Sequence, residues 1–201
     1  MRFDAVVFDF DGTLVDSAGV KYDSFFKLFV DTPAHRAVVK EVLAADPDGS
    51  RHAVIPRMIA AMRERELEVP NDDLVARYGE IVEAGVRAAP EFPGATALLA
   101  RLKDGMDVYV ASNTPQEAVR RETKQRGWSG WLKGVHGYPD RKAEIVRTIL
   151  DRDRLEPHRL AVVGDGISDE EAARVNHCVF IRIFEPADLA RAGWQLEFGD
   201  V

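Results

Sequence analysis

Four short apolar runs punctuate the chain: Ala5 to Phe8, Val108 to Ala111, Leu160 to Val163 and Cys178 to Ile183. Each is continuous rather than alternating. A strand with one face in water alternates apolar and polar positions, whereas a strand covered on both faces does not. The runs therefore predict buried strands, and the helical stretches between them predict α/β architecture with a parallel sheet. Between Ser17 and Ala89 the period changes. Tyr22, Phe25, Phe26 and Phe29, then Val38, Val39, Val42 and Leu43, recur at helical spacing. Ile55 to Met62 and Leu74 to Val86 continue the pattern, and Asp46-Pro47-Asp48-Gly49 supplies a turn between helices. Residues 17–89 thus read as a helical insert after the first strand. Pro56 fits either a helix start or a kink, and Phe92-Pro93-Gly94 reads as the return to the core and the start of a helix. Trp128, Trp131 and Trp194 are expected in core or interdomain packing.

In Val6-Val7-Phe8-Asp9-Phe10-Asp11-Gly12-Thr13 the first run ends in two aspartates separated by one residue, followed by a glycine that permits a sharp turn. Residues two apart on a strand share a face. Both carboxylates can emerge together at the carboxyl end of a strand, where open α/β sheets place their ligands. A divalent cation would stabilise two such charges, and oxygen-only ligands favour a hard ion such as magnesium. Taken alone, this fragment balances catalysis almost evenly against aspartates that only cap the next helix. A second constellation tips the balance, because Leu160 to Val163 runs into Gly164-Asp165-Gly166-Ile167-Ser168-Asp169. Between the two, Val108 to Ala111 ends in Ser112-Asn113-Thr114-Pro115, whose hydroxyls, amide and helix-start N–H groups could hold an anion. Lys142, in Asp140-Arg141-Lys142-Ala143-Glu144, precedes another apolar helical pattern. A lysine there is ordinarily a surface charge, but its place between the serine and the second acidic turn raises its functional weight.

Composition narrows the class of partner. With 201 residues, 46% hydrophobic and 30% charged, the chain can build a real core and a small accessory domain. The formal net charge of -7, with no basic tract, argues against a nucleic acid polymer or an anionic membrane. No apolar run approaches the ~20 residues of a membrane span, and the N-terminus shows no cleavable signal, so a cytoplasmic protein with a small-molecule partner is expected. Cys178 is the single cysteine, which excludes an internal disulfide and a thiolate metal site; its apolar neighbours suggest a buried thiol. His35, His52, His136, His158 and His177 form no close pair at metal-binding spacing and are expected to be structural or at the surface.

Together, Asp9-Phe10-Asp11-Gly12-Thr13, Ser112, Lys142 and Gly164-Asp165 through Asp169 resemble the motifs of the haloacid dehalogenase-like (HAD) hydrolase superfamily, in the branch of phosphoglycolate phosphatases and β-phosphoglucomutases. The resemblance spans essentially the whole chain. It implies a doubly wound, Rossmann-like core of residues 1–16 and 90–201, with residues 17–89 as an α-helical cap. It also implies a Mg2+-dependent phosphatase that hydrolyses a small phosphate monoester through an aspartyl-phosphate. Asp9 would be the nucleophile and Asp11 the acid and base. Ser112 and Lys142 would hold the phosphoryl oxygens, with Thr13 and Asn113 as further contacts. Asp9, the backbone carbonyl of Asp11, and Asp165 would hold the metal, and Asp169 would orient Lys142 or a metal water. Arg51, His52 and Arg57, early in a cap helix, are candidates to grip a second anionic group of the substrate.

Two positions depart from the family pattern. Gly166 stands where many relatives have Ser or Thr, and Lys21 where sugar-phosphate mutases offer a histidine. The second argues against a mutase, although Gly49-Ser50-Arg51 faintly resembles the mutases' cap loop. Asp11 argues against the dehalogenase branch, which lacks that acid. A mutase and a non-catalytic binding module remain the alternatives. A monomer is expected, with an oligomer left open.

Overall fold

The structure, a computed structural model, describes residues 3–46 and 50–199. Of the turn expected at Asp46-Pro47-Asp48-Gly49, all but Asp46 lies outside the described residues, as does the Gly49 end of the mutase-like loop. Five parallel strands form one sheet in the order β3-β2-β1-β4-β5. They are β1 (Ala5–Phe8), β2 (Asp107–Pro115), β3 (Gly134–Tyr138), β4 (Leu160–Gly164) and β5 (Val179–Arg182). Every residue of β1 and β4 is buried, as their unbroken apolar runs require. Phe8 lies opposite Val110 on one side and Val163 on the other, so β1 is the central strand and its carboxyl end is flanked by those of β2 and β4.

β3 has no counterpart among the four apolar runs. Gly-Val-His-Gly-Tyr carries two glycines and one aliphatic residue, and as an edge strand it has little burial to announce it. It is recruited by tertiary pairing with Tyr109 to Ala111. Gly137 is needed there, since a Cβ would stand 2.5 Å from the Thr114 carbonyl oxygen.

The helices leading into and between the later strands are α5 (Ala95–Leu102), α6 (Gln116–Gln125), α7 (Lys142–Asp153) and α8 (Ile167–Val175), and α9 (Asp188–Phe198) follows β5. Ile145, Val146 and Ile149 of α7 pack with Val7, Tyr109 and Val162 of the sheet in one apolar cluster. Of the tryptophans, Trp128 is fully buried and donates through Nε1 to Thr96 Oγ1 at 2.8 Å. Trp194 departs from expectation: it is 46% exposed on α9 beside Phe198, because it lies on the face of that helix turned from Leu189, Ala192 and Leu196. Cys178 is half-buried rather than fully buried, and burial still pushes its thiol up to about 11.

Contacts divide the chain into two compact units, Met1–Asp16 with Ala89–Val201, and Ser17–Ala88. The second unit holds α1 (Ala18–Phe26), α2 (Pro33–Ala45), α3 (Arg51–Glu64) and α4 (Leu74–Ala88). Its own core gathers Leu28, Val39, Val54, Ile55, Met58 and Met62, all essentially inaccessible. Phe25 stacks on Tyr78 with ring centroids 4.3 Å apart. Pro56 sits inside α3, past its first turn. No described helix is long and apolar enough to cross a membrane.

Candidate active site

Asp9 follows β1 directly, with its backbone N–H bonded to the Val163 carbonyl at 2.8 Å as though the ladder with β4 continued. The next residue, Phe10, is fully buried, its ring edge-on to Trp128 at 6.2 Å. Gly12 then adopts φ 77°, a left-handed conformation that glycine reaches without strain, and the chain turns back with Gly12 N–H on the Val15 carbonyl. Phe10 thus anchors the turn while the acids on either side of it stay on the opposite face.

Asp9 is 6% exposed, and its Oδ1 lies 2.9 Å from Lys142 Nζ. Lys142 opens α7, yet it is 5% exposed rather than a surface charge, because its ammonium is also 2.8 Å from Asp169 Oδ1. Asp169 is buried in the first turn of α8, and its Oδ2 accepts the Gly166 N–H at 3.2 Å. Asp11 Oδ2 accepts the Thr114 hydroxyl at 2.6 Å and, weakly, the Ser112 hydroxyl at 3.5 Å. Ser112 Oγ in turn accepts the Thr114 N–H at 3.0 Å, so these side chains fix one another. Asn113, exposed, donates to Ser168 Oγ at 3.3 Å and ties the end of β2 to the start of α8.

One ammonium among several carboxylates is an unbalanced arrangement. Burial pushes the Asp9 carboxyl up to about 8, with Asp169 and Asp11 adding to the effect and Lys142 opposing it. Burial likewise raises Asp169 against the pull of Lys142. For Lys142 burial works to expel the charge, but Asp9 and Asp169 outweigh it and hold the ammonium above the ordinary lysine range. Asp9, Asp165 and Asp169 each offer an oxygen within 4.8 Å of the others, an oxygen-only set suited to a hard divalent cation. Within that set, both Asp169 oxygens are already engaged by Lys142 and the Gly166 N–H, which gives Asp169 the geometry of a brace for the lysine.

Gly164 is the condition for this brace, since a Cβ there would lie 2.2 Å from Asp169 Cγ. Gly164→Ala is expected to cost about 1–3 kcal/mol of stability by overpacking. By displacing Asp169 it should also slow any reaction relying on Lys142 on the order of 10²-fold. Thermal unfolding and steady-state rates on one preparation check both.

A family model described as haloacid dehalogenase-like hydrolase matches residues 3–176. The chain belongs to this family. Among curated proteins it is 28% identical over 177 residues to the tyrosine-protein kinase PtkA of Mycobacterium tuberculosis, covering 84% of this chain; it spans only 57% of that relative's length. Among solved structures, the HAD-hydrolase YfnB from Bacillus subtilis, bound to magnesium, aligns with a TM-score of 0.69 at 16% identity, covering 91% of this chain and 87% of that one. A protein assigned as a β-phosphoglucomutase from Thermotoga maritima aligns at 0.69 and 19%, covering 96% and 92%. One assigned as a phosphoglycolate phosphatase from Haemophilus somnus aligns at 0.65 and 20%, covering 92% and 86%. At these identities the structures speak for the HAD fold.

Lys142 joins Asp9 to Asp169, Asp11 is held separately by Ser112 and Thr114, and Asp165 lies beside Asp9. Thr13 is fully buried, and its hydroxyl has no hydrogen-bond partner among the described residues. Arg51, His52 and Arg57 all belong to α3 of the helical unit. Arg51 is half-buried with its guanidinium over the Tyr78 ring at 5.9 Å, His52 is exposed, and Arg57 is paired with Asp46. Thr114, read from sequence only as one hydroxyl of a candidate anion-binding turn, makes the shorter bond to Asp11. Its signal was available: Thr114 stands two residues beyond Ser112 on a strand, the same spacing that puts Asp9 and Asp11 on one face.

Proposed function

We propose that this HAD-family chain is a magnesium-dependent phosphatase that hydrolyses a small phosphate monoester. The observation that carries the proposal is the buried Lys142 ammonium shared by Asp9 and Asp169 at the end of the central strand. A positive charge held beside the proposed nucleophile in a desolvated site is what an incoming phosphoryl group needs. In this mechanism an Asp9 oxygen attacks phosphorus, the bond from phosphorus to the ester oxygen breaks, and Asp11 passes a proton to the departing oxygen. Asp11 then takes a proton from water as that water attacks the aspartyl-phosphate. The bond to Asp9 breaks, and inorganic phosphate leaves with the carboxylate restored. Lys142 and Ser112 hold the phosphoryl oxygens, with Asn113 and Thr13 as further contacts, and Thr114 keeps Asp11 aimed. Asp9, Asp165 and the Asp11 carbonyl are the proposed metal ligands. When bound, magnesium supplies positive charge that opposes the repulsion between the Asp9 carboxylate and the phosphate. Arg51 and His52 are the proposed selectors of a second anionic group, more so than Arg57, which Asp46 already engages.

The test is phosphate release from a panel of sugar, glycolate, nucleotide and aryl phosphates, with and without magnesium. Magnesium-dependent release supports the phosphatase, and the preferred ester identifies the substrate class. Tight ester binding without release would instead support a non-catalytic module, and dependence on a bisphosphate activator a mutase. The likeness to PtkA favours a second reading, phosphoryl transfer to a protein tyrosine. Phosphotyrosine formed from a nucleoside triphosphate, with no ester hydrolysis, would establish it.

A further inference from the structure

Arg182 ends β5 opposite Gly164 in the parallel ladder with β4. Its side chain reaches both ends of the acidic loop. One terminal nitrogen donates to the backbone carbonyl of Asp165 at 3.0 Å, and the other pairs with the Glu170 carboxylate. Asp165 and Glu170 bracket the segment that contains Gly166 and Asp169. The guanidinium is itself flanked by aromatic rings, with Phe180 at 5.0 Å and Phe184 at 5.6 Å from its carbon. Just beyond, the Ile183 N–H bonds to the Gly164 carbonyl at 2.9 Å, so the start of the loop is held by backbone and side chain of one short segment.

We infer that Arg182 is a positioning residue for the acidic loop, setting the peptide that follows Asp165 and, through Glu170, the first turn of α8 that carries Asp169. An ordinary surface ion pair between Arg182 and Glu170 would contribute little. The bond to the Asp165 carbonyl makes the difference, because a planar guanidinium can serve two acceptors at once in fixed directions, whereas a lysine ammonium offers a point charge without that fork. Partners of this kind, one step removed from a metal ligand, commonly change metal affinity 10–100-fold when lost. That consequence for the metal rests on the function proposed above; the clamp on the loop does not.

The experiment uses the full chain and two readouts that need no turnover: Mn2+ affinity by titration calorimetry, and amide hydrogen exchange across residues 164–170. Arg182→Ala is expected to weaken Mn2+ binding at least about tenfold and to speed exchange in that segment while amides of β1 and β2 keep their protection. Arg182→Lys should fall between wild type and alanine in both, and it decides the matter if the alanine variant fails to fold. Exchange in residues 164–170 and Mn2+ affinity that both match wild type would overturn the inference. If wild-type protein takes up no Mn2+, the metal-dependent phosphatase fails, and the exchange comparison alone decides the clamp.

Discussion

Asp9→Asn is expected to abolish phosphate release, with a rate loss on the order of 10⁴- to 10⁶-fold, the range seen when a covalent nucleophile is removed from an otherwise intact site. The substitution preserves shape and leaves Lys142 paired with Asp169. Binding of the ester should therefore survive far better than turnover. Stability should hold or rise. Burial pushes the Asp9 carboxyl up to about 8, so its ionised form is tolerated at a cost that a neutral amide does not carry. A variant that is inactive yet melts at or above the wild-type temperature is the signature of a strained functional group. An equally inactive variant that melts much lower would mean that Asp9 is chiefly structural.

Lys142→Met should behave in the opposite way, losing activity and stability together. Met approximates the length of the lysine stem but leaves two buried carboxylates, on Asp9 and Asp169, facing each other without their cation. Removing one partner of a buried ion pair typically costs about 3–5 kcal/mol. Chemical denaturation at neutral pH measures this directly, and a loss well under 1 kcal/mol, the range of an exposed pair, would show that Lys142 is not the cation that balances the site. Asp9→Asn and Lys142→Met in one chain should be less destabilised than Lys142→Met alone, since one of the orphaned charges is then gone.

What sequence could show depended on how local the physics was. Asp9, Asp11 and Asp165 stood out as candidates because a continuous apolar strand runs into each acidic turn and a glycine stands within that turn, a pattern written within ten residues. The helical unit was legible for the same reason: Val38, Val39 and Leu43, or Ile55, Met58 and Met62, repeat at the period of the structure they form. The second boundary falls after Ala88, one residue earlier than the sequence pattern placed it. β3 was not legible, since its residues have little strand character of their own and pair only once β2 exists. Nor did Trp194 announce its exposure, which depends on which face α9 turns toward α5. Lys142 is the instructive case. Its residue type and helix-start position argue for solvent, and only the convergence of Asp9 and Asp169 from β1 and α8 makes burial of its charge tolerable. Thr114 was visible as a hydroxyl in a candidate anion-binding turn, but its bond to Asp11 follows from the register of β1 with β2 rather than from its neighbours in sequence.

The most direct test of phosphoryl transfer through Asp9 is to quench a magnesium-containing reaction in acid during turnover of the best ester, digest the protein and locate any phosphoryl group by mass spectrometry. The mechanism predicts a phosphorylated aspartate at Asp9, absent from Asp9→Asn and without a counterpart at Asp11. Phosphate released at the full rate with Asp9 unmodified at every quench time, or with the phosphoryl group on another residue, would contradict it.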